Sequence, residues 1–258
     1  LFGVHQDLIL QSQVAAGMKL VAEMGEIGRA LDAVGLPCLF LKGAALSKLL
    51  FGNCYHRPSG DIDLLVDKVQ LTEARSVLKK LGYCLRHPHF SSLVQEQSWL
   101  HYGKAETWGK AGCFDVDLHW RLTSQWAAFE PSFSELYRTK LNLEIAGLQI
   151  STLSHHYQII FLSLHGAQDG WAHLKAVVEL GLFLERFPVR IDELQRLSSV
   201  RWPLVEHGLD LCGKLGQRSL PVKDWFMNRQ EAISFLRSTG RQTPSPSSSP
   251  TPTPTPTL

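Results

Sequence analysis

No run of apolar residues in this sequence approaches the roughly 18 needed to span a membrane, so no membrane partner is expected. The first 30 residues lack a basic segment followed by a compact apolar stretch, the mark of a secretory leader. Charge of either sign is scarce in excess: 26 Lys and Arg stand against 24 Asp and Glu, a net charge of +2. With no Lys/Arg run or basic stripe, a long nucleic acid is not favoured as a partner. Cysteine is also limiting. Cys38, Cys54, Cys84, Cys113 and Cys212 are odd in number, widely spaced and without a C-x-x-C pair. That argues against a disulfide framework or a zinc ribbon, and free thiols in a cytoplasmic protein are expected. The chain begins at Leu1 rather than Met, so it is read as one that could be a fragment.

What is present suits a globular protein: 258 residues, 44% hydrophobic and 19% charged. That length is enough for one large domain or two small ones with a substantial core. Apolar residues at Val14, Met18, Val21, Met24, Ile27, Leu31 and Val34 predict a helix over 7–34, closed by Gly35-Leu36-Pro37. Cys38–Leu41 reads as a buried strand, 44–50 as a helix, and 51–60 as a loop rich in Gly and Pro. Next come a strand over 61–66 and a helix over 69–81, with Gly82 suited to its cap. A strand could begin at 83–86, and 98–102 is a further strand candidate in an otherwise unreadable stretch from 87 to 111. Phe114–Trp120 alternates most clearly, with Phe114, Val116, Leu118 and Trp120 on one face and Asp115, Asp117 and His119 on the other. From about 153 the pattern is helical only: 154–168, 171–187, 191–199 and 202–216. The expected fold is therefore α+β, a small mixed sheet with flanking helices followed by an all-helical C-terminal half. The expected units are 1–145, 146–238, and a disordered tail over 239–258 that is Ser/Thr/Pro repeat from Gln242 onward.

Three features of the first half carry chemistry. Leu41-Lys42-Gly43-Ala44-Ala45 is a strand, a glycine and a helix start. A helix N-terminus offers unpaired N–H groups, and glycine lets a phosphate come close to them. Gly60-Asp61-Ile62-Asp63-Leu64-Leu65-Val66 places two carboxylates at i and i+2, on one face of a strand. Carboxylates so close repel unless a cation neutralises them, and hard divalent ions favour such oxygen ligands. Phe114–Trp120 brings a third acid on a second strand, Asp117 with Asp115 in reserve, as a two-metal centre requires.

This ordered set resembles the nucleotidyltransferase superfamily of DNA polymerase β type. More narrowly, Leu41-Lys42-Gly43 with Arg57, Asp61–Val66, Asp117-Leu118-His119-Trp120 and His165-Gly166 with Trp171 resembles the uncharacterised bacterial nucleotidyltransferase family, over roughly residues 10–215. The resemblance implies two divalent ions (Mg²⁺, or Mn²⁺) and an NTP, ATP among the candidates, as substrate. A nucleoside monophosphate would pass to an acceptor hydroxyl on a small molecule, a sugar or a protein. It also implies that Asp61 and Asp63 bind metal and that Asp117 binds metal or acts as base toward the acceptor hydroxyl. Gly43 would pass close to the triphosphate, and Lys42 and Arg57 would contact phosphate. Ala44 departs from the Gly-Ser or Gly-Gly that usually follows the strand, which removes a hydroxyl from the phosphate site.

In the helical half, His165, Asp169 and His173 are spaced four apart and would share a face of one unbroken helix. Gly166, Gly170 and Trp171 argue instead for a corner with a packed tryptophan, which on the functional reading faces the cleft and stacks a base or acceptor. Two alternatives to an active nucleotidyltransferase follow. One is a catalytically inactive nucleotidyltransferase-like binding or regulatory module. The other is a metallohydrolase built on the helical histidines.

Overall fold

The computed structural model describes residues 2–216; the rest of the expected helical unit and the Ser/Thr/Pro tail lie outside the described residues. The chain opens with a long helix, α1 (Phe2–Asp32), whose Leu20, Val21, Met24, Ile27 and Leu31 are buried. Met18 and Val34, expected on that face, are exposed, and Leu20 takes part instead. Val34 lies past the helix end at Asp32, and a stripe spaced mostly three apart runs shorter than the 3.6-residue turn, so it slides off the buried face.

Five strands form one mixed sheet: β1 (Cys38–Phe40), β2 (Asp61–Val66), β3 (Cys84–His87), β4 (Ala105–Gly109) and β5 (Asp115–His119). Their order is β1-β2-β5-β4-β3. The two central strands, β2 and β5, run parallel, and the other pairs are antiparallel. Three helices serve the sheet: α2 (Gly43–Phe51), α3 (Leu71–Lys80) and α4 (Leu93–Tyr102). Gly82, with φ of 86°, takes the left-handed position after α3 that its capping role requires.

Residues 98–102 are helix, not strand. The reason is local. The Ser92 hydroxyl accepts from the Gln95 backbone N–H, and the Gln95 side chain accepts from the Ser91 N–H, a reciprocal cap that starts α4. Sequence reading also overlooks β4, the short helix α5 (Phe133–Arg138), and a separate hairpin of β6 (Leu141–Ile145) and β7 (Leu148–Thr152). Ala146 and Gly147 turn that hairpin with positive φ at both positions. This turn lies where the two units were expected to meet. The Thr152 hydroxyl donates to the Phe40 carbonyl at 2.6 Å, fastening β7 beside β1.

Four further helices follow: α6 (His155–Gln168), α7 (Leu174–Arg186), α8 (Ile191–Ser198) and α9 (Trp202–Gly216). The two faces of the sheet bury different partners. Ile62, Leu64, Val66, Val116, Leu118 and Trp108 pack with α1 and α3. Leu39, Leu41 and Leu65 face the other way and join α2, α6 and α7 in a second core. Side chains alternate along a strand, so the parity that sends Leu65 to the second face sends Asp61 and Asp63 there too. The helical half thus covers one end of this face, and the acids occupy the other. Among the described residues no helix is long and apolar enough to cross a membrane.

Candidate active site

The parallel register sets the site. Asp61 lies opposite Asp115, and Asp63 opposite Asp117, on neighbouring central strands. Each acid on this face has a partner. The Ser59 hydroxyl donates to Asp61 at 3.1 Å, and the Thr107 hydroxyl of β4 donates to Asp117 at 2.6 Å. Arg86 pairs with Asp115 at 3.0 Å. His119 Nε2 lies 3.1 Å from Asp63 Oδ1, and both residues are buried. Asp63, Asp117 and His119 each offer one ligand atom, and these atoms lie within 4.8 Å of one another. Donor atoms this close, on two carboxylates and an imidazole, suit a divalent ion. Asp61, expected as a ligand with them, is on the same face but outside this group of three.

The carboxyls differ in environment. Burial pushes Asp63 up, but the His119 hydrogen bond and the charges of Lys42, His119 and Arg57 outweigh it, leaving it below the usual carboxylate range. Asp61 is raised: burial, then repulsion from Asp63 and Asp117, exceed the help of Ser59 and Lys42. Two lysines face the acids. Lys104 is lowered by burial and by Lys42, against the pull of Asp63, Asp169 and Asp117. The Lys42 ammonium sits 5.0 Å from the Phe161 ring. His165 is held down at about 4 by burial and by Lys42 and Lys104, and so is neutral at physiological pH.

Lys42 and Gly43 stand at the N-terminus of α2. Gly43 has φ of 52°, and a side chain added there would point toward the Ser59 hydroxyl, 3.5 Å from its Cβ. Arg57, expected at a phosphate, has its guanidinium engaged by Glu179 of α7, at 2.8 Å through Nε and 3.3 Å through Nη2. That pair is buried and ties the loop before β2 to the helical half. A cleft of about 130 Å³ opens between α1 and this loop, beside Ser59, with Ala16, Gly17, Tyr55 and Pro58 in its walls.

The histidines of the helical half do not share a helix. α6 ends at Gln168 and α7 starts at Leu174, so His165 pairs with Asp169 at 3.4 Å while His173 is exposed. Trp171, with φ of 55°, packs its ring over Gly166 and Gly208. A Cβ at Gly166 would come within 2.4 Å of that ring, so glycine is required for the contact.

A profile of the uncharacterised nucleotidyltransferase family matches residues 7–210. The chain belongs to this family. The solution structure of the antibiotic-resistance factor ANT(2″)-Ia shares the fold with a TM-score of 0.51, at 16% identity, over 74% of this chain and 97% of that one. The lincomycin-bound lincosamide adenylyltransferase LnuA aligns at a TM-score of 0.45 and 12% identity, over 64% of this chain and 97% of its own. A nucleotidyltransferase-like protein from Paracoccidioides brasiliensis aligns at 0.48 and 16%, over 82% and 94%. No curated protein matches the chain. Family membership makes the chain a nucleotidyltransferase by class, with the expected mixed sheet and flanking helices in place.

Sequence reading misses Thr107, which lies in an unread strand, and the Arg57–Glu179 pair, whose members are 122 residues apart. His119 was visible: it shares the parity of Asp115 and Asp117 along β5. Lys104, the second lysine beside the acids, carried no signal in the sequence.

Proposed function

We propose that this protein transfers a nucleoside monophosphate from an NTP to an acceptor hydroxyl on a small molecule, a sugar or a protein. The observation that carries this reading is the pairing of Asp63 with Asp117 across the two central parallel strands, beside the glycine start of α2. The acceptor oxygen attacks the α-phosphorus, the bond from that phosphorus to the β-phosphate oxygen breaks, and pyrophosphate leaves. Asp117, oriented by Thr107, takes the proton of the acceptor hydroxyl. The N–H groups opening α2, with Lys42 and Lys104, hold the phosphates and offset their charge. Asp63 and Asp117, with Asp61 at the rim, would hold a divalent ion such as Mg²⁺ or Mn²⁺, which supplies charge neutralisation at the reacting phosphate when bound. Positioning does most of the rest, since in-line transfer needs little other covalent help. A net charge of +2 with no basic stripe provides no track for a long polyanion, which favours a compact acceptor.

The test is transfer of label from α-labelled NTP across a panel of small-molecule, sugar and protein acceptors, with wild type and Asp61→Ala side by side. Transfer that Asp61→Ala abolishes in a folded protein supports the assignment. Undiminished transfer by that variant sinks it. Failure of the wild type to transfer to any acceptor or to release pyrophosphate would favour a non-catalytic binding module.

A further inference from the structure

Building on the nucleotidyl-transfer reading, we propose that His119 is a direct metal ligand, which makes the centre a mixed nitrogen–oxygen site favouring Mn²⁺ and Co²⁺ over Mg²⁺. His119 follows Asp117 by two residues on β5 and so projects from the same face of the sheet. It is 3% exposed. Its Nε2 contacts Asp63 Oδ1 at 3.1 Å, while its buried Nδ1 has no hydrogen-bond partner. Buried imidazoles are ordinarily fixed through both nitrogens. This ring is held in hydrogen bonding by the acid alone, so its polar edge is committed to the carboxylate cluster.

The distances suit an ion. With bonds of about 2.1 Å, donors at right angles around a cation lie about 3 Å apart and opposite donors about 4.2 Å. The donor atoms of Asp63, Asp117 and His119 already lie within 4.8 Å of one another, on a register fixed by the two central strands. Imidazole is a poor partner for Mg²⁺, which demands oxygen and parts with water reluctantly, and a better one for transition ions. One nitrogen among the ligands therefore biases the choice of metal, a property that three carboxylates would not give.

The experiment uses the full chain loaded with Mn²⁺ and examined by pulsed EPR, with Mn²⁺ and Mg²⁺ affinities measured by calorimetry on wild type and His119→Gln. Glutamine keeps an N–H for Asp63 but has no imidazole nitrogen. The expected result is a directly bonded nitrogen in the wild-type spectrum that is lost in His119→Gln. Mn²⁺ affinity should fall roughly tenfold or more, and Mg²⁺ affinity by less. Bound Mn²⁺ without a directly bonded nitrogen would overturn the proposal, and so would equal weakening of both ions in the variant. Either result leaves nucleotidyl transfer through the aspartates standing. Wild-type protein that binds neither ion, with or without NTP, would overturn this proposal and the metal assignment beneath it together. If His119→Gln does not fold, the wild-type spectrum decides the matter alone.

Discussion

Replacing Arg57 with alanine strips Glu179 of its main counter-charge inside the protein. The two side chains are 7% and 5% exposed, and two hydrogen bonds join them. Breaking a buried pair by removing one partner costs about 3–5 kcal/mol, because the survivor stays desolvated and unpaired. Lys175 remains 3.7 Å from Glu179, but it is half exposed and screened, and it recovers only part of that loss. The expected destabilisation is therefore about 2–4 kcal/mol. Arg57→Met combined with Glu179→Leu replaces both charges with apolar side chains and should return to within about 1 kcal/mol of wild type. Urea unfolding with linear extrapolation measures all three proteins. The reasoning is refuted if Arg57→Ala costs less than about 1 kcal/mol, or if the double variant is no more stable than the single one. The double variant also separates the roles of Arg57: if it folds yet binds NTP more weakly, Arg57 contacts phosphate as well as bracing the loop.

Further outcomes are expected. Gly43→Ala meets no clash, since the nearest atoms to its Cβ are Ser59 Oγ at 3.5 Å and Leu20 at 3.7 Å. It should cost about 1–2 kcal/mol for the left-handed backbone, seen as a modest fall in Tm. NTP affinity should fall much further than stability, because the new methyl stands where a phosphate would approach α2, and calorimetry checks this. For His165 the folded-state value of about 4 lies below the ordinary 6.5, so the unfolded chain binds the proton more tightly between those values. Stability should thus be fully present above pH 6.5 and decline as pH falls toward 4. His165→Gln should flatten that slope by about 1–3 kcal/mol across the window, read from urea midpoints. Asp63 acts in the same direction at lower pH: its stabilisation is present above the ordinary carboxylate range and is lost as pH falls through its depressed folded value.

The legible parts of this fold are those governed by short-range periodicity. Alternation along 61–66 and 114–120 exposed both acid-bearing strands, and the three-and-four spacing exposed α1 and α3. The central strands could be read because acids alternate with apolar residues along them, which puts the acids of each strand on a single face. The pairing of Asp63 with Asp117 was not legible, since register depends on contacts between strands separated by α3, β3, α4 and β4. Residues 98–102 resisted because the cap that makes them helical begins at Ser91 and Ser92, outside the window that suggested a strand. The β6–β7 hairpin turns on Ala146-Gly147, where alanine in a left-handed conformation hides a signal that Asn-Gly would have given. Glu179 reads as one more polar residue on a helix until the fold brings Arg57 to it.

The most direct test of the account is calorimetry of NTP binding with and without Mg²⁺ or Mn²⁺, on wild type and on the Asp61→Ala/Asp63→Ala double variant. Metal-dependent NTP binding by wild type that disappears in a folded double variant is the predicted result. Binding that persists in the variant, or a folded wild type that binds no NTP with either metal, would contradict the claim that these strands carry the nucleotidyl-transfer site.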